Sequence, residues 1–181
     1  MHISHNMQSD PAPPTVVIFG CGNVLLGDDG FGPAVIEQLC RAPLPDPVRA
    51  IDVGTSIREQ LLDYLLLPAT RPGLLIVVDA GLEEDGPAGE VRRCRPRDLP
   101  RRKIHDFSLH QFPTVNLLAE LETETGIEVV LLLARSAFLP ERVAPGLSPA
   151  MRIAVDTACA HLRDLIASPV PSLTTAEAAA P

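Results

Sequence analysis

Four stretches of this chain set carboxylates, a histidine and glycines at positions where a folded α/β protein does chemistry. The first reads Gly20-Cys21-Gly22-Asn23, followed by Gly27-Asp28-Asp29-Gly30-Phe31-Gly32. The second is Asp52, ahead of Gly54, Thr55 and Ser56; the third is Asp79, followed by Ala80 and Gly81. The fourth is His110, within Ser108-Leu109-His110-Gln111. Each has a plain structural reading. Glycines after a strand can serve only a tight turn, and paired aspartates before a helix can serve only its N-terminus. A lone histidine such as His110, like His105 and His161, is ordinarily a satisfied polar contact. Asp79 resists that reading, because a carboxylate ending an apolar strand is costly to bury unless it is paired or coordinated. Taken together, one or two carboxylates and a neutral imidazole make an oxygen–oxygen–nitrogen ligand set. Imidazole suits nickel, copper or zinc, and carboxylates complete a partly open coordination sphere. The same set can run carboxylate-assisted hydrolysis, with one Asp as general base toward a water. Sequence spacing does not choose between these roles.

The elements that must position these residues alternate between strand and helix. Residues 15–20 (TVVIFG) read as a buried strand, and after the glycine–aspartate loop a helix is expected over residues 31–41, with Pro33 in its first turn. Residues 48–52 (VRAID) form a second strand. Thr55 or Ser56 then caps a helix with Ile57, Leu61, Leu62, Leu65 and Leu66 on its apolar face. Residues 74–79 (LLIVVD) are apolar up to the closing Asp79 and read as a central strand. Residues 90–95 (EVRRCR) read as an edge strand, 114–124 as a helix, and 128–134 (EVVLLLA) as a further central strand. Ser148-Pro149 supplies an N-cap and Pro at the first helical position. It opens a helix whose apolar face is Met151, Val155, Ala158, Cys159, Leu162, Leu165 and Ile166. This alternation predicts a three-layer α/β fold, a twisted and mostly parallel sheet with helices on both faces. Ligands in such folds collect at the carboxyl ends of the strands, where the residues above fall. A single domain is expected over residues 15–167, with a disordered leader at 1–14 and a disordered Pro/Ser/Thr/Ala tail at 168–181.

Composition removes several function classes. The formal net charge of −8 argues against a nucleic-acid partner, which needs a basic face to displace counterions. The basic stretch Arg92, Arg93, Arg95, Arg97, Arg101, Arg102 and Lys103 reads as a solvated edge strand and loop, or as a dock for an acidic protein. The four cysteines lie far apart with no C-x-x-C pair, and read as reduced, mostly buried thiols in a cytoplasmic protein. No secretory h-region and no apolar run near the ~20 residues of a membrane span is present. Gly20-Cys21-Gly22 begins a G-x-G-x-x-G dinucleotide fingerprint, but its third glycine is Leu25, and two aspartates follow that would repel a pyrophosphate. No nucleotide cofactor is expected. Neither a Walker lysine, an H-E-x-x-H site nor a nucleophile tied to a base is spelled out.

The stretch from Gly20 to Gly32 resembles the G-x-G-N-x-L-x-x-D-[DE]-x-x-G signature that opens hydrogenase maturation proteases. Further matches follow in order: Asp52-Val53-Gly54-Thr55, Ile76-Val77-Val78-Asp79-Ala80, and Ser108-Leu109-His110-Gln111. The resemblance implies an endopeptidase, aspartic-type in the family's terms. It would remove the C-terminal extension of a nickel-iron hydrogenase large-subunit precursor after nickel insertion. By the same resemblance Asp29, Asp79 and His110 contact the metal, with Asp29 and Asp79 also catalytic. Gly22, Asn23, Asp28, Asp52, Gly54, Thr55 and Gln111 would bind substrate or shape its loops. Nickel would be supplied by the precursor, the protein partner of an enzyme expected to be monomeric and not to bind a membrane. The second motif has Asp-Val-Gly-Thr where other members have Asp-Gly-Gly-Thr. With the His-Asp-Phe-Ser-Leu-His-Gln segment it is similar to the subgroup associated with coenzyme F420-reducing hydrogenases. A nickel-sensing chaperone that binds the precursor without cutting it would use the same residues. A general hydrolase or phosphorylase on a similar scaffold rests on fold analogy alone.

Overall fold

The structure, a computed structural model, describes residues 15–81, 86–99, 114–136, 140 and 142–167. The expected leader at 1–14, the tail at 168–181, the 108–111 motif with His110 and Gln111, and Arg101, Arg102 and Lys103 all lie outside the described residues.

The apolar run at residues 74–78 becomes the middle of the sheet. The strand β3 (Leu74–Gly81) is buried at every one of its 8 positions, as a strand covered on both faces must be. It pairs in parallel with β1 (Val16–Cys21) on one side and β5 (Glu128–Arg135) on the other. Beyond β1 lies β2 (Val48–Gly54), also parallel; beyond β5 lies β4 (Val91–Cys94), the one antiparallel member. The order is β2-β1-β3-β5-β4. The chain therefore leaves β1 toward one edge and returns to β3 on its other side, which makes the gap between the carboxyl ends of β1 and β3 a switch point of the kind where α/β proteins bind ligands.

Strand alternation sorts the core into two layers. Ile18, Ile76, Val78, Val130 and Leu132 face one way. They pack against α1 (Phe31–Leu39) and the 19-residue α4 (Pro149–Ala167). Phe19, Leu75, Val77, Val129 and Leu131 face the other, against α2 (Ile57–Leu66) and α3 (Thr114–Thr125). Helices thus cover both faces. Among the described residues no helix is long and apolar enough to cross a membrane.

Local differences from the sequence reading have physical causes. The strands β2 and β3 run two residues further than expected, because ladder pairing persists past the carboxylates: Asp79 pairs with Leu133, Ala80 with Ala134 and Gly81 with Arg135. Asp52 and Asp79 therefore stand inside their strands rather than at the ends of them. In α2 only Ile57 and Leu61 are buried, with Leu65 packed beside them; Leu62 and Leu66 face solvent. A helix against a sheet buries one narrow stripe, and leucines a turn apart but off that stripe gain nothing from it. Ser56 precedes α2 without a side-chain cap, whereas Ser148 does cap α4, its hydroxyl accepting the Met151 N–H at 3.4 Å. All four cysteines are free; Cys21 and Cys159 are buried as expected, but Cys40 is exposed at the end of α1.

Candidate active site

Glycines bring the switch point together. The helix α1 starts so close to the sheet that a Cβ on Gly32 would lie 2.2 Å from Cys21 O, 2.4 Å from Cys21 N and 2.6 Å from Val78 O, all backbone atoms. Gly22, at φ 128°, turns the chain out of β1 where a Cβ would meet the Asp29 carbonyl oxygen at 1.8 Å. Only glycine fits either position, so the loop from Asn23 to Gly30 is drawn down over the ends of β1 and β3.

Asp29 stands on a 3-10 turn (Gly27–Gly30) at the start of α1 and is 1% exposed. Its Oδ2 accepts the Asn23 N–H at 2.9 Å, so the loop folds back on the carboxylate. Asp79 is wholly buried. Its Oδ1 accepts the Ala80 N–H at 2.8 Å, while Oδ2 has no hydrogen-bond partner among the described residues. Burial, and beyond it the charge of Asp29, pushes the Asp79 carboxyl well above the ordinary carboxylate range, against the opposing pull of the Ala80 N–H. The two carboxylates are therefore within electrostatic reach of each other in a poorly solvated place. Cys21, at the end of β1, lies in the same field: burial first, then Asp79, Asp52 and Asp29, raises its thiol well above the usual range. Such a thiol stays protonated and is a poor nucleophile.

The other sequence-singled residues divide by role. Asp52 sits at a β-bulge in the β1–β2 pairing; its Oδ1 accepts the Gly54 N–H at 2.9 Å, and Gly54 O accepts the Gly22 N–H at 2.9 Å. Asp52 and Gly54 thus fix the neighbouring loop, and Thr55 is exposed beside them. Asn23 closes the turn with its side chain, Oδ1 accepting the Leu25 N–H at 3.0 Å. Asp28 is buried and bonded to the Ser148 N–H and the Ser136 hydroxyl. Ser136, buried one residue past β5, was missed in the sequence; the rule that polar residues at strand ends matter would have found it.

Beside the Asp29 loop runs an open groove of about 360 Å³, lined by Val24, Gly30, Pro33, Leu147 and the carboxylates of Glu37 and Asp52. Val24, Leu25 and Val143 form an exposed apolar lip there; Leu25 O accepts the Ala144 N–H at 2.9 Å, which ties the two loops. Among the described residues no three His, Cys, Asp or Glu side chains stand close enough to hold a metal ion.

A doubly wound sheet with two buried carboxylates at its switch point places this chain among the α/β proteins whose ligand sites lie at the carboxyl ends of their strands. Comparison with known proteins narrows that class. The family model for hydrogenase maturation proteases matches residues 33–164. A Methanocaldococcus jannaschii protein described as a candidate hydrogenase maturation protease is 36% identical over 144 residues, 79% of this chain and 90% of the relative. The delta subunit of the coenzyme F420 hydrogenase of Methanothermobacter thermautotrophicus is 29% identical over 86% of this chain and 97% of its own length. The crystal structure of a [NiFe] hydrogenase maturation protease from Thermococcus kodakarensis superposes with a TM-score of 0.67 at 21% identity, covering 86% of this chain and 94% of that one. The chain belongs to the hydrogenase maturation protease family, and is accordingly a peptidase.

Proposed function

We propose that this protease removes the C-terminal extension of a nickel-iron hydrogenase large-subunit precursor once nickel has been inserted. In this reading the nickel belongs to the substrate, and Asp29, Asp79 and His110 are the groups that receive it. The observation that carries the reading is the Asp79 carboxylate: wholly buried, near a second buried carboxylate, with one oxygen lacking a partner among the described residues. A carboxylate in that setting is costly unless a cation or proton joins it, and a divalent cation between Asp79 and Asp29 relieves both desolvation and mutual repulsion. Two carboxylates and an imidazole make a donor set suited to nickel. Bound there, the metal supplies recognition of the loaded precursor and Lewis-acid polarisation. The chain's own groups do the rest. The Asn23 N–H and the glycine turn hold Asp29 against the site. A carboxylate that is not neutralised takes a proton from the attacking water. The groove and the Val24, Leu25 and Val143 lip give the precursor's tail a surface beside the carboxylates.

The test is to mix the protein with the large-subunit precursor, with and without nickel inserted, and record intact masses. Loss of a C-terminal peptide from the nickel-loaded form alone is expected. A stable complex with unchanged mass would instead identify a nickel-sensing chaperone. Cleavage at the wild-type rate by both D79A and H110A would overturn the ligand assignment.

A further inference from the structure

Two buried polar side chains at the site, Asp28 and Ser136, take no part in the chemistry above. The Ser136 N–H donates to Gly81 O at 2.9 Å, at the end of the strand that carries Asp79. Its hydroxyl donates to Asp28 Oδ2 at 3.3 Å. The other oxygen of Asp28, Oδ1, accepts the Ser148 N–H at 2.7 Å, where the positive end of α4 favours a carboxylate. Asp28 is the immediate neighbour of Asp29. A continuous path of hydrogen bonds thus runs from the Asp79 strand, through Ser136, to the turn that holds Asp29.

We propose that the Asp28–Ser136 pair is a positioning device that sets the spacing between the Asp29 and Asp79 carboxylates, and so the opening they present to the metal-bearing end of the substrate. This rests on the reading that those two carboxylates receive the metal. The two halves of the site need such a link because they sit on different parts of the backbone. Asp79 is fixed by ladder pairing to β5, whereas Asp29 lies on a loop well beyond the last paired residue of β1. The Leu26–Ala144 bridge and the Leu25 carbonyl bond to Ala144 attach the loop to the segment before α4, and packing of Gly32 against Val78 O brings the start of α1 onto β3 without fixing the Asp28–Asp29 turn by a hydrogen bond of its own. Ser136 is the described side chain that reaches the loop from the end of β5, with its own backbone bonded to β3. Adjacent aspartates therefore divide the work, Asp29 serving the site and Asp28 holding it in place.

The variants S136A, D28A and D28N separate position from charge. The D28N amide can still accept from Ser148 N–H through its oxygen and donate to the Ser136 hydroxyl, so the link survives without the charge. On nickel-loaded precursor, S136A and D28A are expected to lower kcat/KM by about tenfold or more, the scale of loss that small misplacements of reacting groups produce. D28N is expected to recover most of that loss. In the protein alone, S136A is expected to speed amide hydrogen exchange both at Ala80 and Gly81 and at Leu26 to Gly30, with the thermal midpoint within a few degrees of wild type. Wild-type kcat/KM in S136A, or D28N as inactive as D28A, would sink the proposal; the second outcome would make Asp28 a charge contact to substrate. If the wild-type protein leaves the precursor intact, the functional reading has failed on its own account. The exchange measurement then decides alone: faster exchange in both segments upholds the link, and unchanged exchange in either removes it.

Discussion

At the scale of single residues, Asp79 is an acidic group held where its charged form is unfavourable. Asp79 titrates near about pH 4 in an unfolded chain, but burial and Asp29 raise its folded value well above that. The folded protein therefore holds this proton more tightly than the unfolded chain. The associated stability is complete below about pH 4 and is lost as the pH rises through the folded value. D79N mimics the protonated form at every pH. It is expected to melt higher than wild type at pH 7, with the gap closing as the pH falls toward 4, while precursor cleavage drops by at least about a hundredfold. For a domain of this size each kcal/mol shows as roughly 2–4 °C, so calorimetry across pH reads the effect directly. A D79N midpoint below wild type at pH 7 would contradict the charge argument. The cysteines provide a second check. Burial raises the thiols of Cys21 and Cys159, whereas Cys40 is exposed. Iodoacetamide labelling of the native protein at pH 8, followed by peptide mass analysis, is expected to modify Cys40 well before Cys21 or Cys159.

At the scale of elements, close approach of α1 to the sheet is what draws Asp29 over the switch point. G32A forces a methyl into three backbone atoms that cannot turn aside, and is expected to lower unfolding free energy by about 3 kcal/mol in urea titration. At Gly126, also at positive φ but with open space around it, alanine is expected to cost about 1 kcal/mol from backbone strain alone. The helix α2 gives a parallel contrast. L61A removes a fully buried side chain and should cost about 2–5 kcal/mol, while L66A, 74% exposed, should stay within about 0.5 kcal/mol. Equal losses at the two leucines would mean that the helix presents a broader face to the core than the structure shows.

At the scale of the whole molecule, strand order places the first and third strands side by side with their carboxyl ends at one edge, where the described loop that carries Asp29 also lies. The apolar lip of Val24, Leu25 and Val143 borders it, exposed by 54%, 49% and 70%. If the precursor docks there, the double variant V24D/V143D is expected to raise KM for precursor cleavage about tenfold while leaving the thermal midpoint within about 2 °C, since surface changes seldom alter stability. An unchanged KM would place the docking surface elsewhere.

What could be read from the sequence was whatever depends on local chemistry and period. The apolar runs within 74–79 and 128–134 announced central strands because a strand covered on both faces is apolar on successive positions rather than alternate ones. Gly22 and Gly32 were visible as glycines, Asp79 as a carboxylate too close to an apolar run to be ordinary surface charge, and Asp29 through the motif alone. The motifs also sufficed for the family, which the comparisons bear out. Tertiary structure decided what depends on neighbours distant in the chain. Whether Leu62 and Leu66 are buried follows from which stripe of α2 meets the sheet, and both strand-end aspartates lie inside the ladder because a partner strand continues past them. The adjacent aspartates, which the motif assigns different parts, are seen in the structure to take different partners, Ser136 and Ser148 for Asp28, Asn23 for Asp29. Sequence fixes the groups available and the period in which they recur; direction and partnership are set by packing, where the costs of burial and unmet hydrogen bonds are settled between residues far apart in the chain.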